Sequence, residues 1–309
     1  MVNVLESRLE LPGVSIYYQV YGSENKNLPL LVVVPAANGN SLLFEGLATL
    51  LAASFRVVLY DRRGYIRSPA DKACIPTKDS LFPVHAEDLA SLITHISPPR
   101  ERSLMAEPVY VFSTSGSVPI VLELLLRNPF LIRQAVLHDP VIVSLCGNQQ
   151  AARYWSLASK IVQAAQKNDF ARASGILKDE LYTKTEWKLF RSCDAALTTV
   201  KAITPHDLAY YFVTEIGAMR DYRPDMARMA EMVPCPKEKV VIVLGRDEAM
   251  DMARVPGVKL ANAMQIPVER IVGGHVGYAT HIKQFAEELL QLFMPSLLAS
   301  RGELKAARL

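Results

Sequence analysis

The sequence predicts an α/β fold: a mostly parallel, eight-stranded sheet with helices on both faces and a helical block inserted between two strands. Two observations predict it. Short apolar runs alternate with helically spaced leucines and valines over residues 28–142 and again after residue 234, the rhythm of a covered parallel sheet. Between these stretches, residues 143–233 carry helical periodicity and no convincing strand. The expected division is therefore a core of residues 1–142 and 234–309 and a helical cap of residues 143–233. A separate helical domain is disfavoured, because the sheet needs the strands on both sides of the block.

The elements follow in order. Ser7–Leu11 and Val14–Val20 flank Pro12-Gly13, a turn signal between two strands. Leu30–Val34 is continuously apolar, as suits a strand buried on both faces, and it breaks at Pro35 into a Gly/Asn loop. Leu42, Leu43, Leu47, Leu50 and Leu51 then recur at helical spacing over Ser41–Ser54. The cycle repeats as strand Phe55–Tyr60, a polar loop, and helix His85–Ile96. It repeats again as strand Val109–Phe112, a tight turn, and helix Val118–Arg127. Strand Gln134–His138 ends at Asp139-Pro140. Inside the block, Ala151–Gln166, Asp169–Leu181, Thr185–Ala196 and Pro205–Met219 read as helices, and Pro234 and Pro236 close it. Strand Lys239–Leu244, a helix near Val258–Met264, strand Val268–Val272 and a helix over His281–Leu292 complete the core.

Composition narrows the function. The chain has 309 residues, half of them hydrophobic, enough for one large core with an insert. With 34 basic and 31 acidic residues, the net charge of +3 gives no reason to expect nucleic acid or an anionic membrane as partner. No apolar run reaches the roughly 18 residues needed to span a bilayer. The N-terminus has early acidic residues and no apolar signal core, so a cytoplasmic location is expected. The alternative is peroxisomal: Ala307-Arg308-Leu309 is a loose variant of the S-K-L address. Cys74, Cys146, Cys193 and Cys235 lack metal-like spacing and suit reduced thiols. No metal or cofactor is expected, since phosphate loops and dinucleotide fingerprints are missing. The expected partner is a small-molecule substrate, and the oligomeric state is not encoded in any pattern.

The segment carrying chemistry is Val109 to Ser117, with Ser113-Thr114-Ser115-Gly116-Ser117 at a strand-to-helix junction. A nucleophile elbow belongs there, because its tight turn demands small residues two before and two after the nucleophile. The usual pattern is G-x-S-x-G, and Ser113 and Ser117 replace both glycines. Ser115 fits best. Centring on Ser113 would put Val111 at the leading small position, and centring on Ser117 would put Pro119 at the trailing one.

On these residues the chain resembles the α/β-hydrolase superfamily over nearly its full length. Tyr60-Asp61-Arg62-Arg63-Gly64-Tyr65-Ile66-Arg67-Ser68 is similar to the superfamily's D-x-R-G-x-G-x-S segment, with Ile66 in place of the second glycine. His85-Ala86-Glu87-Asp88-Leu89 resembles the start of the helix before the nucleophile strand. Gly273-Gly274-His275 resembles the catalytic-histidine loop. His275 is the best-placed base of six histidines, and the resemblance puts the base there too. His281 opens a helix, His85 reads as structural, and His95 and His206 have no supporting context. Three carboxylates can complete the set: Asp139 after the sixth strand, or Glu248 or Asp247 after the seventh. All keep the chain order serine, acid, histidine.

The oxyanion hole would use the N–H of Gly116, with a second donor from Ala37 or, alternatively, Ala36 in the loop after the third strand. Asn38 and His138 are candidates to line the pocket. So are Tyr154, Trp155 and Trp187, among the cap aromatics that also include Phe190, Tyr210, Tyr211 and Phe212, with Met219 beside them. The expected activity is a serine hydrolase of a small, largely apolar ester, lactone or thioester. The alternatives are a non-hydrolytic cyclase or C–C bond enzyme using His275 as base, and a non-catalytic receptor on the same scaffold.

Overall fold

The computed structural model describes residues 2–36, 38–98, 106–232, 236–247 and 251–306. Ala37, Glu248 and Ala307–Leu309 lie outside the described residues.

Eight strands form one sheet: β1 (Val4–Leu11), β2 (Val14–Tyr21), β3 (Leu30–Val34), β4 (Arg56–Tyr60), β5 (Val109–Thr114), β6 (Ile132–His138), β7 (Val240–Gly245) and β8 (Val268–Ile271). Their order is β1-β2-β4-β3-β5-β6-β7-β8. The β1–β2 and β2–β4 pairs are antiparallel, and β4 through β8 run parallel. β3 and β5 are buried along their whole length, which explains their lack of polar alternation. Apolar clusters pack both faces of the sheet. One is built around Leu89, Leu122 and Ile132, and the other around Phe44, Phe112, Phe285 and Phe293.

The core helices before β6 are α1 (Glu45–Leu51), α2 (Leu81–Ile96) and α3 (Val118–Arg127), and after β7 the core adds helices over Asp251–Ala263 and Ile282–Ala306. α1 is shorter than the leucine spacing predicts, because its first turn, Leu42–Phe44, is a tighter 3-10 turn. No strand lies between β6 and β7 among the described residues. That stretch holds α4 (Asn148–Gln166), α5 (Phe170–Leu181), α6 (Lys184–Phe190), α7 (Asp194–Ala202) and α8 (Pro205–Ala209). A π-helical turn over Tyr210–Glu215 then leads into α9 (Ile216–Asp221) and α10 (Met226–Met232).

The single helix expected over Thr185–Ala196 is two helices. α6 closes at Arg191, and Cys193 adopts an extended backbone that starts α7 in a new direction. The expected Pro205–Met219 helix is interrupted by the π-turn, a rare widening of the helical repeat that is frequent at functional sites.

The two adjacent arginines of the polar loop go to different partners. Arg63 pairs with Asp88 of α2 at 2.6 Å. Arg62 turns the other way, to Glu215 of the π-turn, at 2.7 and 3.0 Å. Asp61 accepts from the Ser41 N–H and from Arg67, and so ties this loop to the one after β3.

Candidate active site

β5 delivers Ser115 at the carboxyl edge of the sheet, where parallel sheets present ligand sites. Ser115 has φ 60°, a left-handed conformation that a non-glycine residue adopts only under constraint from its surroundings. The constraint is visible. The Ser113 and Ser117 hydroxyls meet at 2.8 Å across the elbow, and Ser117 also donates to the Thr114 carbonyl at 2.8 Å. Both serines are fully buried. The residues replacing the two glycines thus brace the turn, and their hydroxyls are engaged away from the histidine loop.

His275 follows β8, where Gly273 adopts φ 78°. Its Nε2 lies 2.9 Å from Ser115 Oγ, and its Nδ1 lies 3.2 Å from Asp139 Oδ2. The other Asp139 oxygen accepts the Gly245 N–H at 3.0 Å. Asp139 is itself held at φ 43° just after β6, and its own N–H bonds the Val243 carbonyl of β7. Burial pushes the Asp139 carboxyl up, but the two neighbouring imidazoles and the Gly245 N–H outweigh it and hold it down at about 2. Asp139 therefore stays ionised at neutral pH. An imidazole placed between a hydroxyl and such a carboxylate can take the hydroxyl proton and is stabilised when it does.

The competing carboxylates behave differently. Asp247 is exposed, and its backbone N–H bonds the Gly273 carbonyl. Glu248 lies outside the described residues. Of the described carboxylates, Asp139 is the one hydrogen-bonded to His275.

Gly116 follows Ser115 in the first turn of a helical segment, where N–H groups have no intrahelical partner. A side chain on Gly116 would come within 2.6 Å of Met219 Cε, so Met219 roofs this position. Ala36 is buried, and its carbonyl accepts Arg62 Nη2 at 2.8 Å and the Gly39 N–H at 3.1 Å. Ala37, the other expected donor, lies outside the described residues.

Two cavities flank the serine and histidine. The first, of about 40 Å³, touches Ser115 and is walled by Val141, Leu157, Ile161, Tyr211, Ile216 and Met219. The second, of about 270 Å³, is polar and includes Asp139, Glu186, Arg153, Arg270 and His275. Tyr154, Glu180 and Leu181 line both.

Of the expected pocket residues, only Tyr154 lines these cavities. Trp155 is 42% exposed on the outer side of α4. Trp187 packs instead against Tyr182 and Phe190. Asn38 sits in a left-handed turn and lines neither cavity. His138 is wholly buried, 2.8 Å from Thr114 Oγ1 and 3.8 Å from Asp139. Burial is the main reason that it titrates low, at about 4, and stays neutral.

Sequence reasoning missed Glu186. The pattern Thr183-x-x-Glu186 reads as a capping box, which would fold the glutamate back on its own helix start. Thr183 does cap the Glu186 N–H at 3.1 Å, but the carboxylate leaves for the Val276 N–H at 2.9 Å.

Among the described residues, no helix is long and apolar enough to cross a membrane, and no group of three or more His, Cys, Asp or Glu is placed to hold a metal.

The chain is similar to several known proteins. The family described as "alpha/beta hydrolase fold" matches residues 29–200. The uncharacterized hydrolase YraK of Bacillus subtilis (strain 168) is 24% identical over 281 residues, spanning 91% of this chain and 93% of that protein. The enol-lactonase from Burkholderia xenovorans LB400 superimposes with a TM-score of 0.69 at 14% identity, covering 93% of this chain and 100% of that one. The thermophilic esterase from Thermogutta terrifontis gives 0.67 at 14% identity, covering 95% and 99%.

Proposed function

On the premise that the chain belongs to the α/β-hydrolase family and is a hydrolase, we propose that Ser115 is its nucleophile and that it cleaves small esters or lactones through an acyl-enzyme. The observation that carries this reading is the hydrogen-bonded line Ser115–His275–Asp139, at 2.9 and 3.2 Å.

The chemistry follows from that geometry. Ser115 Oγ attacks the carbonyl carbon as its proton passes to His275 Nε2. The carbonyl oxygen becomes an oxyanion, received by the Gly116 N–H together with a donor from the loop after β3, Ala37 or Ala36. When the carbon–oxygen bond breaks, the imidazolium gives its proton to the departing alkoxide. A water then enters, loses a proton to His275 and attacks the acyl carbon. The acid leaves, and the proton returns to Ser115. Asp139 keeps the imidazole in the tautomer with Nε2 free to accept, and it stabilises the imidazolium.

In this reading residues 143–233 act as a cap. The apolar cavity at Ser115, at about 40 Å³, suits a short acyl group, and the polar cavity beside His275 suits a more polar leaving half. The enol-lactonase and esterase likenesses agree with this substrate class.

A fluorophosphonate probe tests the reading. We expect one adduct, mapped to Ser115 by mass spectrometry and missing in Ser115→Ala. We also expect faster turnover of acetyl than of octanoyl esters. Labelling elsewhere, or none, overturns the proposal.

Asp139→Asn tests the acid. The amide would donate to Nδ1 and drive the ring proton to Nε2, facing the serine. A fall in kcat of roughly 10⁴-fold is expected from a wrong tautomer. Near-normal rates would move the role to Asp247 or Glu248.

A further inference from the structure

The helical segment between β6 and β7 reaches the histidine loop through one buried carboxylate. Glu186 of α6 is 8% exposed. Its Oε1 accepts the N–H of Val276, the residue directly after His275, at 2.9 Å. On the other side of His275, a Cβ built on Gly274 would lie 2.6 Å from the same Oε1 and 2.9 Å from Oε2. The carboxylate therefore lies against the main chain on both sides of the imidazole. The start of α6 is itself fixed. Thr183 caps it, and the Tyr182, Trp187 and Phe190 rings pack together, with Tyr182 edge-on to His275 at 6.4 Å between centroids.

We propose that Glu186 is a positioning residue for His275: it fixes the backbone that carries the imidazole and adds a second negative charge beside it. This rests on the reading of His275 as the base. Asp139 controls the ring from Nδ1, and Glu186 controls the loop from behind. Without Glu186, the buried Val276 N–H loses its acceptor and the loop is free to shift. A shift of about 1 Å in a reacting group can cost 10²-fold in rate.

Several groups set the charge of Glu186. Burial raises its carboxyl above the ordinary range, and the Val276 N–H and His275 act against that rise. Asp139 after β6 and Asp247 after β7 also raise it, and Tyr182 and Tyr278 face it as neutral phenols. Among these groups, His275 is the one whose charged form Glu186 favours; Arg153, Arg254 and Arg270, which line the same cavity, stay charged throughout. The sign follows. Removing the negative charge makes the imidazolium less favourable, so the acidic limb of kcat/KM moves to lower pH. Where Glu186 is already protonated, wild type and variant converge.

The test compares wild type, Glu186→Gln and Glu186→Ala on a chromogenic acetate ester, with thermal melts alongside. Glu186→Ala is expected to lower kcat about 10- to 100-fold, with KM within about twofold. Glu186→Gln keeps an acceptor for Val276, so it should recover kcat to within about threefold while its acidic limb falls by roughly half a unit. A purely structural glutamate would not move that limb. If the alanine variant does not fold, the glutamine variant's limb decides alone. Wild-type kcat in Glu186→Ala, or an unmoved limb in Glu186→Gln, overturns the inference. Probe labelling separates it from the reading beneath it. With Ser115 labelled and Glu186 variants normal, this inference fails alone; with Ser115 unlabelled, the hydrolase mechanism itself fails.

Discussion

Replacing Ser115 by alanine is expected to lower kcat by roughly 10⁵- to 10⁶-fold on a chromogenic acetate ester, because the proposed acyl-enzyme step loses its attacking atom. Alanine keeps the Cβ that the φ 60° backbone already accommodates, so the fold and substrate binding should survive. His275→Ala is expected to cost about as much, and the double variant little more, since the two groups act as one unit in the proposed mechanism. What rate remains over water would come from binding and the oxyanion donors alone. Steady-state kinetics on the three variants, with melts to confirm folding, is the measurement. Robust turnover in Ser115→Ala combined with loss in His275→Ala would instead favour a reaction in which the imidazole acts as base on the substrate directly, as in a cyclase or C–C bond enzyme.

Glu215→Ala carries the largest expected effect on stability. Glu215 and Arg62 each keep only 2% of their side-chain surface exposed. Burial acts to lower the guanidinium, but Glu215 more than offsets it, so Arg62 stays charged. Removing the carboxylate would leave that cation buried and uncompensated, at a cost of about 3–5 kcal/mol. Replacing both residues with apolar ones of similar volume should restore most of the loss, since a buried pair gains little over good packing. The effect should reach the proposed active site. Arg62 also holds the Ala36 carbonyl at 2.8 Å, in the loop proposed to supply an oxyanion donor. Chemical denaturation of wild type, Glu215→Ala and the double apolar variant checks this. A Glu215→Ala midpoint equal to wild type would refute it.

Much of this was legible in local pattern. Apolar runs such as Leu30–Val34, ending in glycine, asparagine or proline, specify strands buried on both faces. The elbow at Ser115 was readable because its constraint is local. A tight strand-to-helix turn admits only small flanking residues, and serine at 113 and 117 satisfies it as glycine does. The loop carrying His275 was readable for the same reason. Chain order alone left the acid open among Asp139, Asp247 and Glu248. The rows of aromatics between β6 and β7 likewise did not reveal that Tyr154 faces the cavities while Trp155 faces outward.

The sequence by itself determined the alternating sheet, the helical insertion and the serine and histidine that face each other, because each is written in neighbouring residues. Only the tertiary structure decided which carboxylate meets the imidazole. That depends on how β6 and β7 pair, with the Gly245 N–H turning Asp139 toward His275 across 136 positions. It alone joined Glu186 to Val276 and Glu215 to Arg62, over 90 and 153 positions. The reason is physical: a buried charge finds its partner through the packing of distant elements, and no local periodicity records where that packing will bring it.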